Sequence, residues 1–239
     1  MGDIKMKIIT IQDVTRELHN AFNLLNKEFF NDELPMPAIT IQSSGHKRNS
    51  MGWCTISPVW GNKTGSQKMY EINLSAEFLD LDFFETMDTL LHEMVHLYHL
   101  IKGIKDTSRN GTYHNKHFKQ KVLEIGFEYE EEKPHPIHGW TYARIGQKAK
   151  DRISKLKINK DVFVISRKGS VYFKALNEGI SPDEAQSVIT TTQESSQRKK
   201  SSYKWICPEC ELIIRSTKKE VNVVCGDCNV KFEKEMDNV

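Results

Sequence analysis

The stretch Leu90–Leu100 reads LLHEMVHLYHL. It sets three histidines and a glutamate in an otherwise apolar run. Apolar runs go to a core, where an unpaired polar group is costly. The polar residues are therefore either satisfied core side chains or ligands. His92 and His96 stand four residues apart, which on a helix places them on one face, one turn apart. Two imidazoles at that spacing reach one ion, and Glu93 then stands beside the ion rather than on it. This is the H-E-x-x-H arrangement of zinc metalloproteases, whose glutamate is a general base. The residue types suit the chemistry. Neutral imidazoles hold zinc without cancelling its charge, zinc lowers the pKa of a water towards about 7, and a carboxylate takes that water's proton.

A zinc hydrolase site commonly has three protein ligands and an open position. His99 lies seven residues beyond His92, about 10.5 Å along a helix axis. One ion is poorly placed to reach all three histidines, and a His96/His99 site would leave Glu93 without a use. His99 is expected to be a polar tip on a packed helix. His114 and His117 are the next candidates. A helix over His114–Ile125 would bury Phe118, Val122 and Ile125. His114 would then sit about 45° from the centre of that stripe and His117 about 105° away. His114 is favoured as the third ligand. His135 and His138, in PHPIHGW, could line a cleft but read more simply as loop residues.

Around the motif the chain reads as α+β. Val14, Leu18, Ala21, Phe22, Leu25 and Phe29 carry helical spacing over residues 10–30, and Asn31–Pro35 breaks that helix. Strands are expected at Ala38–Gln42, Met51–Ser57 and Met69–Leu74, with Gly61–Ser66 as a hairpin loop. The motif helix should open at Asp82, with Glu85 completing a capping box, and stop at Gly103. Val162–Ile165 and Val171–Phe173 look strand-like. Ser181–Glu184 is a capping signature for a short helix to about Ile189. Thr190–Ser202 is polar and featureless, as linkers are.

The order FFNDELP, MGWC, YEINLS, LLHEMVH and then His114 four before Phe118 resembles the SprT-like metalloproteases, which include the Spartan proteases. The likeness covers roughly residues 10–130. It implies that His92, His96 and His114 hold a catalytic zinc and that Glu93 is the catalytic base. It also implies a zincin-like fold of helices plus a small antiparallel sheet.

Cys207/Cys210 and Cys225/Cys228 form two C-x-x-C pairs separated by fourteen residues. Such knuckles close a tetrahedral structural zinc site, and no βαβ pattern points to a redox pair instead. Leu212–Ile214 and Val221–Val224 between them read as a hairpin. The segment is poor in apolar residues, so metal binding should supply much of its folding energy. Many SprT-like proteins are similar in ending with such a ribbon. Cys54 reads as an inert, buried thiol.

Basic residues cluster at Arg144–Lys160, at Arg198–Lys200 and at Lys204 beside Trp205. Lys148, Lys150, Arg152, Lys155, Lys199, Lys200 and Lys204 could meet phosphates, and Trp205 could stack on an unpaired base. A solvated helix face and a linker explain the same charges from composition alone. The resemblance favours DNA, because Spartan-type proteases act on DNA-attached proteins.

With 239 residues and a net charge of +2, the chain has room for one large domain and a small one. The expected organisation is a metalloprotease domain over 1–150, a basic and unassigned segment over 151–192, a linker over 193–203 and a zinc ribbon over 204–236. No run approaches the roughly 18 apolar residues of a membrane helix. The N-terminus lacks the apolar core of a signal peptide, so a cytoplasmic location is expected. The leading expectation is a zinc endopeptidase with one catalytic and one structural zinc, cutting DNA-bound or DNA-crosslinked proteins. The alternatives are a nucleic-acid-binding ribbon protein with an inactive protease-like domain, and a zinc hydrolase of a non-peptide substrate.

Overall fold

A computed structural model describes residues 8–43, 50–187 and 202–235. The chain divides into two compact units, the first ending at Arg167 and the second beginning at Lys168.

The first unit opens with α1 (Ile11–Phe30). The Thr10 side chain accepts from the Asp13 N–H while Asp13 accepts from the Thr10 N–H, a reciprocal cap. The six apolar residues expected on its inner face are all buried. Asn31 ends the helix in the left-handed region at φ 53°. The buried Asn26 amide then holds the following turn, accepting from Leu34 N–H at 3.1 Å and donating to Leu34 O at 2.9 Å.

Three strands follow in the spatial order β1 (Ala38–Gln42), β5 (Glu71–Ser75), β2 (Gly52–Cys54). β2 and β5 are antiparallel, but β1 and β5 are parallel. The sheet is therefore mixed, not the small antiparallel sheet expected. Alternation marks the face of a strand and says nothing of its direction. Ile72 and Leu74 point to the helices, into a core shared with Phe22, Met87, Leu90 and Leu91. On the other face Glu71 accepts hydrogen bonds from Thr40 and Gln42, both at 2.7 Å. Between β2 and β5 rises a two-stranded hairpin, β3 (Trp60–Gly61) and β4 (Lys68–Met69), whose loop matches the one expected.

The motif helix is α2 (Phe83–Ile101). Asp82 caps it by accepting from Phe84 N–H at 2.9 Å. Glu85 does not complete the expected box and faces Arg144 at 3.5 Å. Lys102 and Gly103, at φ +68°, end the helix as its spacing implies. A small hairpin follows, β6 (Thr107–Ser108) with β7 (Tyr113–His114).

The next helix, α3, spans only Lys116–Glu124. Asn115 caps it by accepting from His117 N–H at 2.7 Å. His114 lies before that cap, on β7, so the helix expected over His114–Ile125 is two residues shorter at its start. The short β8 (Phe127–Glu128) and β9 (Arg144–Ile145) pair antiparallel, and α4 (Gln147–Ile153) buries Ala149 and Ile153.

The two strand-like runs are not strands. Val162 ends a 3-10 turn (Lys160–Val162), and Val171–Phe173 lies in α5 (Ser170–Asn177). An apolar run of three or four residues carries no period, so it cannot choose between helix and strand. Ser181 and Glu184 form the reciprocal cap foreseen, and the helix they open continues through 187. Its expected end, most of the Thr190–Ser202 tract, and Lys199 and Lys200 lie outside the described residues.

In the second unit β10 (Tyr203–Ile206) is central, antiparallel to β11 (Ile213–Ser216) and β12 (Glu233–Lys234). Ile213 and Ile214 of the Leu212–Ile214 run thus pair with Ile206 and Trp205 and not with Val221–Val224, where only Val224 bridges, to Lys231.

Candidate metal centre

α2 presents His92 and His96 side by side, and β7 brings His114 to them. The His114 Nε2 lies 3.2 Å from that of His92 and 3.1 Å from that of His96. Beneath the three rings lies Phe118, fully buried, with its ring centroid 4.7, 5.0 and 4.5 Å from those of His92, His96 and His114. The four-residue spacing from His114 to Phe118 therefore joins a ligand candidate on a strand to its apolar floor on the first turn of α3. His117 is exposed and does not join the cluster.

His114 is held through its main chain on both sides. Its N–H donates to His138 O and its carbonyl accepts from Trp140 N–H, both at 3.0 Å. Gly139 lies between those partners at φ +65°, and a Cβ there would stand 2.1 Å from His114 O. Only glycine permits so close an approach. His135 and His138 stack on each other, with ring centroids 5.0 Å apart. They belong to the loop that supports His114 and are not part of the three-histidine cluster.

Asp106, unremarked in the sequence, is a fourth element of the site. Its Oδ2 accepts from His96 Nδ1–H at 2.7 Å, which fixes the His96 tautomer and turns the Nε2 lone pair towards His92 and His114. The same oxygen lies 3.3 Å from Nδ1 of the buried His99. His99 is outside the cluster, as expected, but it packs on the carboxylate and is not a free polar tip. A lone aspartate in the polar loop KDTSRN carries no periodic signal. Only its place between His96 and His114 could have drawn attention to it.

Burial is the largest single influence on each of these groups, and at two of them the partners together overturn it. It pushes His92 well below the ordinary histidine value. It brings His114 down to about 4, with the charge of His96 adding to the effect. His96 is pulled down by burial too, but its bond to Asp106 and the charges of Glu93 and Asp106 outweigh this and raise it. Burial lifts Glu93 to about 7. Asp106 is also opposed by burial, yet its hydrogen bond from His96 and the nearness of the His99 ring hold it below the usual carboxylate range.

Glu93 is buried beside the cluster, and the Cys54 main-chain N–H favours its charged form. The strand that supplies this N–H fits because residue 52 is glycine. A Cβ at Gly52 would come within 2.8 Å of Asn73 O, 2.9 Å of Thr89 Cγ2 and 3.3 Å of Glu93 Cγ. Met-Gly-Trp-Cys is thus the point where the sheet meets the motif helix. Cys54 is half-buried, and burial pushes its thiol far above the ordinary value.

The four cysteines form a second cluster, with all Sγ atoms within 4.8 Å of one another and Cys210 Sγ 3.7 Å from Cys225 Sγ. The two knuckles repeat one another. Cys207 N–H donates to Leu212 O and Glu211 N–H to Cys207 O; Cys225 N–H donates to Val230 O and Asn229 N–H to Cys225 O. Glu211 and Asn229, each following the second cysteine of its pair, are both left-handed, at φ 58° and 59°. The N–H groups of Cys210 and Glu209 point at the Cys207 sulfur and bring that thiol down to about 7.

Zinc binds imidazole at about 2.1 Å and thiolate at about 2.3 Å, so tetrahedral ligands stand about 3.4 Å apart for nitrogen and about 3.8 Å for sulfur. The 3.1–3.2 Å and 3.7 Å separations seen here fit both groups. Among the described residues these two clusters are the possible metal sites.

The basic residues are less uniform than their clustering implied. Lys148 and Lys155 are exposed. Lys150 is half-buried, 5.7 Å from the Phe84 ring centroid. Arg152 ties α4 to α1, donating to the Glu28 carboxylate at 2.7 Å and covering the Phe29 ring. Lys204 pairs with Glu235. Trp205 is not an exposed platform; it is 8% accessible and packs with Cys207, Cys225 and Phe232. In so small a unit, a tryptophan next to a knuckle is needed as core.

No helix among the described residues is long and apolar enough to cross a membrane. No curated protein and no solved structure matches the chain. The family model for SprT-like proteins matches residues 18–158, from within α1 to just beyond α4. That span holds all three histidines, Glu93, Asp106 and the glycines that bring them together, and the chain belongs to the SprT-like family.

Proposed function

We propose that the protein is a zinc-dependent endopeptidase acting on DNA-bound or DNA-crosslinked proteins. The observation that carries this reading is the convergence of three imidazole Nε2 atoms beside a buried carboxylate. His92, His96 and His114 would hold the catalytic zinc, and Cys207, Cys210, Cys225 and Cys228 a structural one. Zinc, when bound, supplies a Lewis acid for the substrate carbonyl and acidifies a water.

The remaining steps belong to the chain itself. Glu93 takes the proton of the attacking water at its carboxylate and hands it to the departing amine nitrogen. The Cys54 N–H favours the charged form of that carboxylate, and the surrounding core keeps bulk water from it. Asp106 keeps His96 in the tautomer that offers Nε2 to the metal. DNA would be met by exposed lysines of the first unit, Lys148 and Lys155, through phosphate contacts.

The test is cleavage of a DNA-bound protein by the wild-type chain and by Glu93→Gln, with zinc measured in both and in His114→Ala. The expected result is loss of at least a hundredfold in rate for Glu93→Gln with two zincs retained, and one zinc in His114→Ala. Equal rates for wild type and Glu93→Gln would overturn the mechanism.

A further inference from the structure

The excursion between β2 and β5 carries a patch that the reaction does not use. Ile56, Val59 and Trp60 are 84%, 57% and 47% exposed. Exposed apolar side chains gathered on one short segment mark an interaction surface more often than chance exposure does. Trp60 is also fixed in place. Its indole N–H donates to Glu71 at 2.7 Å, and Glu71 is anchored in turn by Thr40 and Gln42. Its ring is therefore held rigidly while much of it faces solvent, which lowers the ordering cost of binding. Lys63 and Lys68, on the same hairpin, are exposed, and no carboxylate occurs from Thr55 to Tyr70.

The patch follows the candidate active site along the chain, with Trp60 tied to Glu71 on the sheet face away from α2. Met51 and Thr55 bond to β5 through Ser75 N–H→Met51 O and Thr55 N–H→Glu71 O, with Trp53 opposite Asn73. Gly52 and Cys54 therefore turn their main-chain groups to the outer side of β2, and there the Cys54 N–H meets Glu93. An extended chain lying along that edge passes Glu93, and Ile56 and Trp60 follow Cys54 by two and six residues, within about 7 and 20 Å of chain at roughly 3.3 Å per residue.

We infer that Ile56, Val59 and Trp60, with Lys63 and Lys68, form a docking subsite for extended polypeptide segments that carry an aromatic or aliphatic side chain flanked by acidic residues. This deepens the peptidase reading and rests on it. The subsite selects unfolded segments, because a folded substrate seldom exposes an apolar side chain and an extended backbone together.

Binding tests this without turnover. Full-length, zinc-loaded Glu93→Gln is titrated by fluorescence anisotropy with three labelled peptides: a central Leu-Phe flanked by Asp and Glu, the same peptide with Ser-Ser at its centre, and the same peptide with Lys flanks. The first should bind at least tenfold tighter than either other. Ile56→Ser with Val59→Ser, at positions too exposed to matter for folding, should weaken it about tenfold. Trp60→Ala should do the same, while Trp60→Phe, which loses the bond to Glu71 but keeps a ring, should retain most of the affinity. Lys63→Ala with Lys68→Ala should reduce its salt dependence. Equal affinity for the three peptides, or no change in Ile56→Ser/Val59→Ser, would overturn the proposal. So would an oligo-dT that binds tighter and loses affinity in the same variants, which would assign the patch to nucleic acid. Absence of cleavage by the wild-type chain would remove the peptidase reading while leaving this peptide binding measurable, so the two failures are distinguishable.

Discussion

Glu93 and Asp106 are both buried carboxylates, yet their surroundings push them in opposite directions. Glu93 rises to about 7 because burial outweighs its partners. The metal-free folded state therefore binds its proton more tightly than the unfolded chain does, and this residue's contribution to stability falls as pH rises from about 4.5 through about 7. Glu93→Gln should stabilise the metal-free protein at pH 8, on the order of 2 kcal/mol, and change it little at pH 4.5. Thermal melts at the two pH values check the sign, and an equal shift at both would exclude this origin. Asp106 is held low by His96 and His99. Asp106→Ala should weaken zinc binding about 10- to 100-fold without removing a ligand, as read by chelator competition. At this scale the sequence is only partly legible. His92, His96 and Glu93 follow from helical spacing. Helical spacing favours His114 for its place on a helical face, but it stands on β7; it reaches the centre because a strand pair and the loop at Gly139 carry it there. Asp106 has neither period nor motif, since a loop carboxylate acquires meaning only when the chain folds it against an imidazole.

Among the elements, two close approaches fix the site, and both depend on glycine. At Gly52 a strand lies against the motif helix, and at Gly139 a loop lies against β7. Gly52→Ala forces Asn73 O, Thr89 or Glu93 to move. It should cost about 1–3 kcal/mol, as overpacking does, and should lower activity more than zinc content, because it displaces the base before the ligands. Gly139→Ala should do the reverse and release zinc first. Comparing zinc occupancy with peptide cleavage in the two variants separates them. The helices were readable because their apolar stripes are long and capped, and α1 and α2 begin and end close to where their spacing implies. The parallel pairing of β1 with β5 was not readable. Five alternating residues reveal a buried face, but partner and direction are chosen by the connection through β2 and its hairpin.

On the scale of the molecule, the two units draw on different sources of stability. The first has an extended apolar core. The buried apolar set of the ribbon is Trp205, Cys207, Cys225 and Phe232, two of them thiols. A strong chelator should melt the ribbon while leaving the first unit folded, with amide-exchange protection lost over 203–234 and kept in α1 and α2. Loss in both units together would show that the core alone does not hold the first. The β6–β7 hairpin has a consequence for chain length. Asp106 bonds His96 and Thr107 pairs with His114, so the ladder closes before the tip at Arg109–Thr112 begins. Residues added between Asn110 and Gly111 lengthen only the part of the chain beyond that closure. The length of this loop is thereby decoupled from the geometry of the centre, and the tip becomes a permissive place to graft a recognition peptide or a label without retuning the chemistry beneath it.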